Sequence, residues 1–138
     1  MPTIQAHILA GHSASQKERL IAALTDAVVQ TVDAPIDSVC VLIDEVSHAH
    51  FGIAGKPATA ATPPRAVLHA FLIAGRTDAQ KVRLIAALTA AATDAIDVAP
   101  GVVRVFVTDL PNTDFGLGGK TALALGRGIG RAALVQQT

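Results

Sequence analysis

Apolar positions along this chain alternate between two periods. Thr3–Leu9 and Val67–Ile73 are short, apolar and partly β-branched, the pattern of strands. Gly11 and Gly75 end these runs. Ser13-x-x-Gln16 and Thr77-x-x-Gln80 follow, each pairing a hydroxyl with an amide as a capping box does at a helix start. Beyond them Leu20, Ile21, Leu24, Ala27 and Val28 recur at three-to-four spacing, as do Leu84, Ile85, Leu88, Ala91 and Ala92. Each set predicts an amphipathic helix of about five turns. Pro35 and Pro100 sit just past the helix ends. Val39–Val46 and Val102–Leu110 read as second strands. Phe51-Gly-Ile-Ala-Gly and Phe115-Gly-Leu-Gly-Gly read as glycine-rich turns or short hairpins. Strand, long helix and strand make a right-handed parallel β-α-β unit.

The pattern occurs twice because the sequence does. Displaced by 64 positions, QKERLIAALT (Gln16–Thr25) falls on QKVRLIAALT (Gln80–Thr89), and Phe51-Gly52 falls on Phe115-Gly116, with no gap between. This is a tandem duplication. Residues 57–65, small and proline-rich, read as a linker between a first unit (1–56) and a second unit with a C-terminal tail (66–138). One unit has too little core to stand alone. The expected fold is therefore α/β (α+β): two tandem β-α-β units joined edge to edge in a pseudo-twofold four-stranded sheet, with both helices on one face. The other face is left open and apolar, to be buried against further copies of the chain.

Composition narrows the function classes. Of 138 residues, 51% are hydrophobic and the formal net charge is zero, so there is no electrostatic case for nucleic acid or an anionic membrane surface. The single cysteine, Cys40, excludes an intrachain disulfide and fits a reducing compartment. The start lacks the basic flank and apolar core of a secretory signal, and no apolar run has the length of a membrane span. The expected location is the cytoplasm.

Candidate chemistry begins at Pro2. Once Met1 is removed, the chain opens on a proline amine held by a strand rather than on a loose tail. An α-amino group titrates at roughly 7.7–8.0, and burial beside positive charge lowers that further. Such an amine can act as a general base near neutral pH.

Pro2-Thr-Ile-Gln-Ala-His-Ile-Leu-Ala-Gly, then Gln16-Lys17, Asp33-Ala34-Pro35, Val39-x-Val41 and His50-Phe51-Gly52-Ile53, closely resemble 4-oxalocrotonate tautomerase. The likeness covers the first copy without gaps and extends to the second, so the chain resembles a fused member of the tautomerase superfamily. The resemblance implies a homotrimer, a terminal proline as catalytic base, two arginines that hold carboxylates and a phenylalanine on the apolar wall. By position these fall on Pro2, on Arg76 and Arg104 of the second copy, and on Phe51 and Phe115. In the first copy the arginine positions hold His12 and Cys40, and the second copy has Ala66 where the proline falls. One copy thus keeps the base and the other the arginines, leaving one complete site per chain. The implied activity is keto-enol isomerisation of small 2-hydroxydienoate or enol-pyruvate carboxylates, such as 2-hydroxymuconate or phenylenolpyruvate. Pro2 moves the proton, Arg76 binds a carboxylate, Arg104 polarises the 2-oxo oxygen, and no metal or cofactor takes part. Whether Arg104 comes from a neighbouring chain is left open.

Three alternatives stand beside this. A hydratase-type dehalogenase of the same superfamily needs an acid two residues after the phenylalanine, where the chain has Leu117 and Ile53, and a further arginine where it has Ile73. A decarboxylase would recruit Asp37. A catalytically degenerate binding trimer is the non-enzymatic reading. Other features are bland: His48 and His50 read as a loop pair, Cys40 as a small core residue in mid-strand, and Lys17, Arg19, Lys81 and Arg83 as solvated helix faces. Gly119-Lys120-Thr121 fails as a phosphate loop because Asp114 stands at the required glycine. Gly126-Arg-Gly128-Ile-Gly130 is a weak dinucleotide pattern, and Arg127 and Arg131 either solvate the tail or edge a substrate entrance.

Overall fold

The first strands of the two repeats meet at the centre of one sheet. The computed structural model describes residues 1–136. β1 (Thr3–Leu9), α1 (Ala14–Val32) and β2 (Cys40–Val46) form the first unit; β5 (Ala66–Ile73), α2 (Asp78–Ile96) and β6 (Val103–Leu110) form the second. Within each unit the strands are parallel. β1 and β5 pair antiparallel, giving the order β2-β1-β5-β6. The register is that of a pseudo-twofold: the 64-residue offset exchanges the pairs Thr3–Phe71 and His7–Val67 and maps Gln5–His69 onto itself. This is the expected sheet.

Both capping boxes form. Ser13 and Thr77 accept the Gln16 and Gln80 amides at 3.1 Å, while each glutamine side chain accepts the cap residue's own amide at 2.9 Å. Each helix runs 19 residues, about five turns, and ends on an aspartate in the left-handed region, Asp33 (φ 54°) and Asp97 (φ 56°). The second strands begin one residue later than expected. Val39 and Val102 donate their amides to Ile36 and Ala99 in single 3₁₀ turns, so those amides close a turn instead of entering the ladder.

The helices lie together on one face. Leu20, Leu24, Val28, Leu84, Leu88, Ala92 and Ile96 are fully buried against Ile4, Ala6, Ile8, Leu68, Ala70 and Leu72 of the sheet. Burial of each of the large aliphatic side chains contributes about 1.5–3 kcal/mol before entropy is counted. The opposite face is uncovered. Across it Leu42, Gln5, His69 and Phe106 form one row, with Leu42 49% and Phe106 51% exposed. His69 stacks on Phe71 (centroids 4.0 Å apart) and shares a 2.6 Å hydrogen bond with Thr108 Oγ1.

After its second strand each unit makes a small hairpin: β3 (Gly52–Ile53) with β4 (Lys56–Pro57), and β7 (Gly116–Leu117) with β8 (Lys120–Thr121). The chain then turns back along the end of the sheet and finishes in α3 (Arg131–Gln136). Among the described residues no helix is long and apolar enough to cross a membrane.

Candidate active site

Pro2 is buried at the head of β1, where its carbonyl accepts the Cys40 amide hydrogen at 3.1 Å. The parallel register that pairs Thr3 with Cys40 thereby fixes the start of the chain against β2. Met1 precedes it. Burial first, then the charges of Arg76 and Arg127, lower the Met1 amine from its ordinary 8.0 to about 6. Desolvation penalises an ammonium, and neighbouring guanidinium charges oppose another positive charge. The Pro2 nitrogen lies one residue further in.

Two clefts adjoin this point. The larger, about 730 Å³, is lined by Met1, Thr3, Phe115, Leu117, Leu125 and Arg127, together with Pro35 and residues 37–40. The smaller, about 260 Å³, is lined by Met1, Asp33, Pro35, Ile73, Arg76, Arg127 and Gly128. Arg76 is half-buried and donates from Nη1 to the Ile73 carbonyl at 3.2 Å, which orients its guanidinium. It reaches this position because Gly75 (φ 138°) takes the chain out of β5 at an angle closed to most side chains. An apolar wall and arginine charges beside the chain start suit proton transfer on a small anion.

Met1, the neighbour of Pro2, lines both clefts, with Phe115 on the larger and Arg76 on the smaller, and two other expected residues stand apart. Arg104 is exposed on the uncovered sheet face and pairs with Val67 at the start of β5, whereas Thr3 pairs with Phe71 near its end. Strand rise and spacing put Arg104 about 20 Å from Pro2. Phe51 lines neither cleft. His12, in the first-copy position of Arg76, lines a third hollow of about 280 Å³ together with His48 and Pro64. Among the described residues, no three His, Cys, Asp or Glu side chains cluster as a metal site.

The sequence left Arg127 between two readings; the residue is exposed and lines both clefts. It missed Asn112, a buried amide that holds the Arg127 segment through Nδ2. The glycines at 126 and 128 were the available signal.

The fold defines a class: two β-α-β units fused in one chain, with clefts at the ends of the central strands. The chain belongs to the family described as "Tautomerase enzyme", whose model matches residues 2–61 and again 67–123, and it is an isomerase of that family. It is 48% identical over 60 residues to the 2-hydroxymuconate tautomerase of Stutzerimonas stutzeri, an alignment covering 44% of this chain and 95% of the relative. The native fused 4-OT crystal structure has a TM-score of 0.86 at 48% identity, covering 91% of this chain and 99% of that one. The R7 fused 4-OT asymmetric trimer gives a TM-score of 0.84 at 47% identity, with the same coverage.

Proposed function

We propose that the protein is a tautomerase of small 2-hydroxydienoate or enol-pyruvate carboxylates, 2-hydroxymuconate and phenylenolpyruvate among them, with the Pro2 amine as general base after removal of Met1. The observation that carries this reading is the seating of the chain start between Arg76 and the apolar wall of Phe115. The Pro2 nitrogen takes the proton of the 2-hydroxyl. The oxygen's electrons form the C2 carbonyl, the double bonds shift, and the prolinium returns the proton to the carbon that gained density. Arg76 binds a carboxylate, and Arg104 steadies the negative oxygen as it develops. Since Arg104 stands far from Pro2 of its own chain, it is supplied by a neighbouring copy in a homotrimer. The uncovered sheet face supports that assembly, as do relatives described as fused 4-OT trimers.

Asp37 gives a second reading some ground, because its carboxylate lines the larger cleft, where a decarboxylase would recruit it. Leu117, in the same cleft, is the apolar residue at the position where a water-adding dehalogenase needs an acid.

Ketonisation of 2-hydroxymuconate and of phenylenolpyruvate, with Met1 removal confirmed by mass, tests the proposal. The mature protein is expected to exceed buffer, and Pro2→Ala to lose about 10²–10⁴-fold. No rate above buffer from an intact trimer lacking Met1 overturns it.

A further inference from the structure

Arg127 lies beyond both segments that the family model matches, which end at residue 123. It is nevertheless built into the end of the sheet. Its amide donates to the Ala122 carbonyl at 2.9 Å, and Asn112 Nδ2 donates to the Arg127 and Gly128 carbonyls at 3.2 and 3.4 Å. Ile129 then bridges the sheet end, donating to Ala74 O at 3.0 Å and accepting from Asn112 N at 2.9 Å. Gly128, at φ 66°, lies so close to β5 that a Cβ there would stand 2.2 Å from Ile73 Cγ2. Only a glycine lets the segment dock this tightly.

The side chain carried by this docked segment lines both clefts, a position shared only with Met1 and Pro35. Arg131, four residues on, is paired with Asp114 at 2.6 Å and lines neither. Among the described residues Arg127 has no carboxylate partner within ion-pair distance, although Asp33 and Asp37 also line the clefts. Two guanidinium groups, Arg76 and Arg127, therefore line a cleft sized for a small anionic group.

We infer that Arg127 is a specificity-determining residue: with Arg76 it clamps, in the smaller cleft, the substrate carboxylate remote from the enol, so that the site favours dicarboxylates. This rests on the proposed tautomerase reading, in which a neighbour's Arg104 serves the enol end. Two charged donors on one carboxylate strengthen ground and transition states alike, so the loss of one appears in KM.

The test compares 2-hydroxymuconate with 2-hydroxypenta-2,4-dienoate, which lacks the remote carboxylate. Arg127→Gln is expected to raise KM for the first about tenfold, with kcat nearly unchanged, and to leave the second within about twofold. Arg127→Lys restores part of the loss, Arg131→Gln has no effect, and Gly128→Ala reproduces the Arg127→Gln pattern by displacing the segment. Calorimetric binding of unreactive muconate, set against hexanoate, gives a readout that needs no turnover. If Arg127→Gln binds muconate as wild type does, or weakens both substrates equally, the inference is overturned even where the tautomerase reading stands. If no enol is turned over but Arg127→Gln still costs about tenfold in muconate binding alone, the clamp stands and the tautomerase reading fails.

Discussion

Arg76 and Arg104 stand at opposite ends of β5: Arg76 just beyond Gly75, which follows its last residues, and Arg104 in register with Val67 at its start. Two arginines from one repeat therefore cannot serve one site within one chain. The consequence can be tested by subunit mixing. Pro2→Ala and Arg104→Gln chains, each inactive alone, are expected to recover activity when assembled together, at about a quarter of the sites for random cyclic trimers. A Pro2→Ala and Arg76→Gln mixture is expected to recover nothing, because both groups belong to the same chain. Recovery in the second mixture and not in the first would sink this division of the site.

The burial and arginine charges that lower the Met1 amine are expected to act in the same direction on a Pro2 amine freed beside it. A base works only when unprotonated. kcat/KM is therefore expected to fall tenfold per unit at pH values below the amine pKa, with the limb below the ordinary α-amino range of roughly 7.7–8.0. Burial is the first cause of the lowering and Arg76 the second, so Arg76→Gln removes one opposing charge and moves the limb to higher pH. Arg127→Gln moves it the same way by less. Rate profiles from pH 5 to 9 check this; a limb near 8 that ignores both substitutions would contradict it.

Half of the Phe106 surface and half of the Leu42 surface lie on the sheet face that no helix covers. A charge placed there stays in solvent in the monomer but would be buried in the proposed homotrimer. Phe106→Asp is expected to convert the assembly to monomer by light scattering while far-ultraviolet circular dichroism stays native. On the proposed reading, loss of activity is expected to accompany dispersal, because each site would then lack a neighbour's Arg104.

Leu24 and Leu88 are the same position of the two repeats, and both are fully buried between the helices and the sheet. Leu24→Ala and Leu88→Ala are each expected to lower stability by about 2–5 kcal/mol, the range for a large core side chain replaced by a cavity. Denaturant midpoints measure this. A marked inequality between the two would show that one repeat relaxes around the cavity more freely than its copy does.

The local elements were legible because their causes are local. Ser13 and Gln16 lie three residues apart and close a helix start wherever the chain goes, and the Leu20–Val28 spacing marks one helix face by the geometry of a single turn. The duplication made a four-stranded sheet of two units joined edge to edge legible as well, but each unit has two free strand edges, and the tertiary structure decided that β1 meets β5. The strand starts slipped by a residue because a 3₁₀ turn competes for the same amides as the ladder, and sequence does not rank the two.

By itself the sequence determined the duplicated β-α-β architecture and the asymmetry between a copy with Pro2 and a copy with the arginines, and its family resemblance implied roles for Pro2, Arg76, Arg104, Phe51 and Phe115. Only the tertiary structure decided which of these meet. Whether Arg104 and Phe51 share a cleft with Pro2 depends on antiparallel register across strands more than sixty residues apart. Arg127 depends on a tail docked through Asn112 and Gly128 against Ile73, contacts that no period or motif records. Periodicity is a property of neighbours along the chain, whereas a site is assembled from side chains whose separations are set by register and packing.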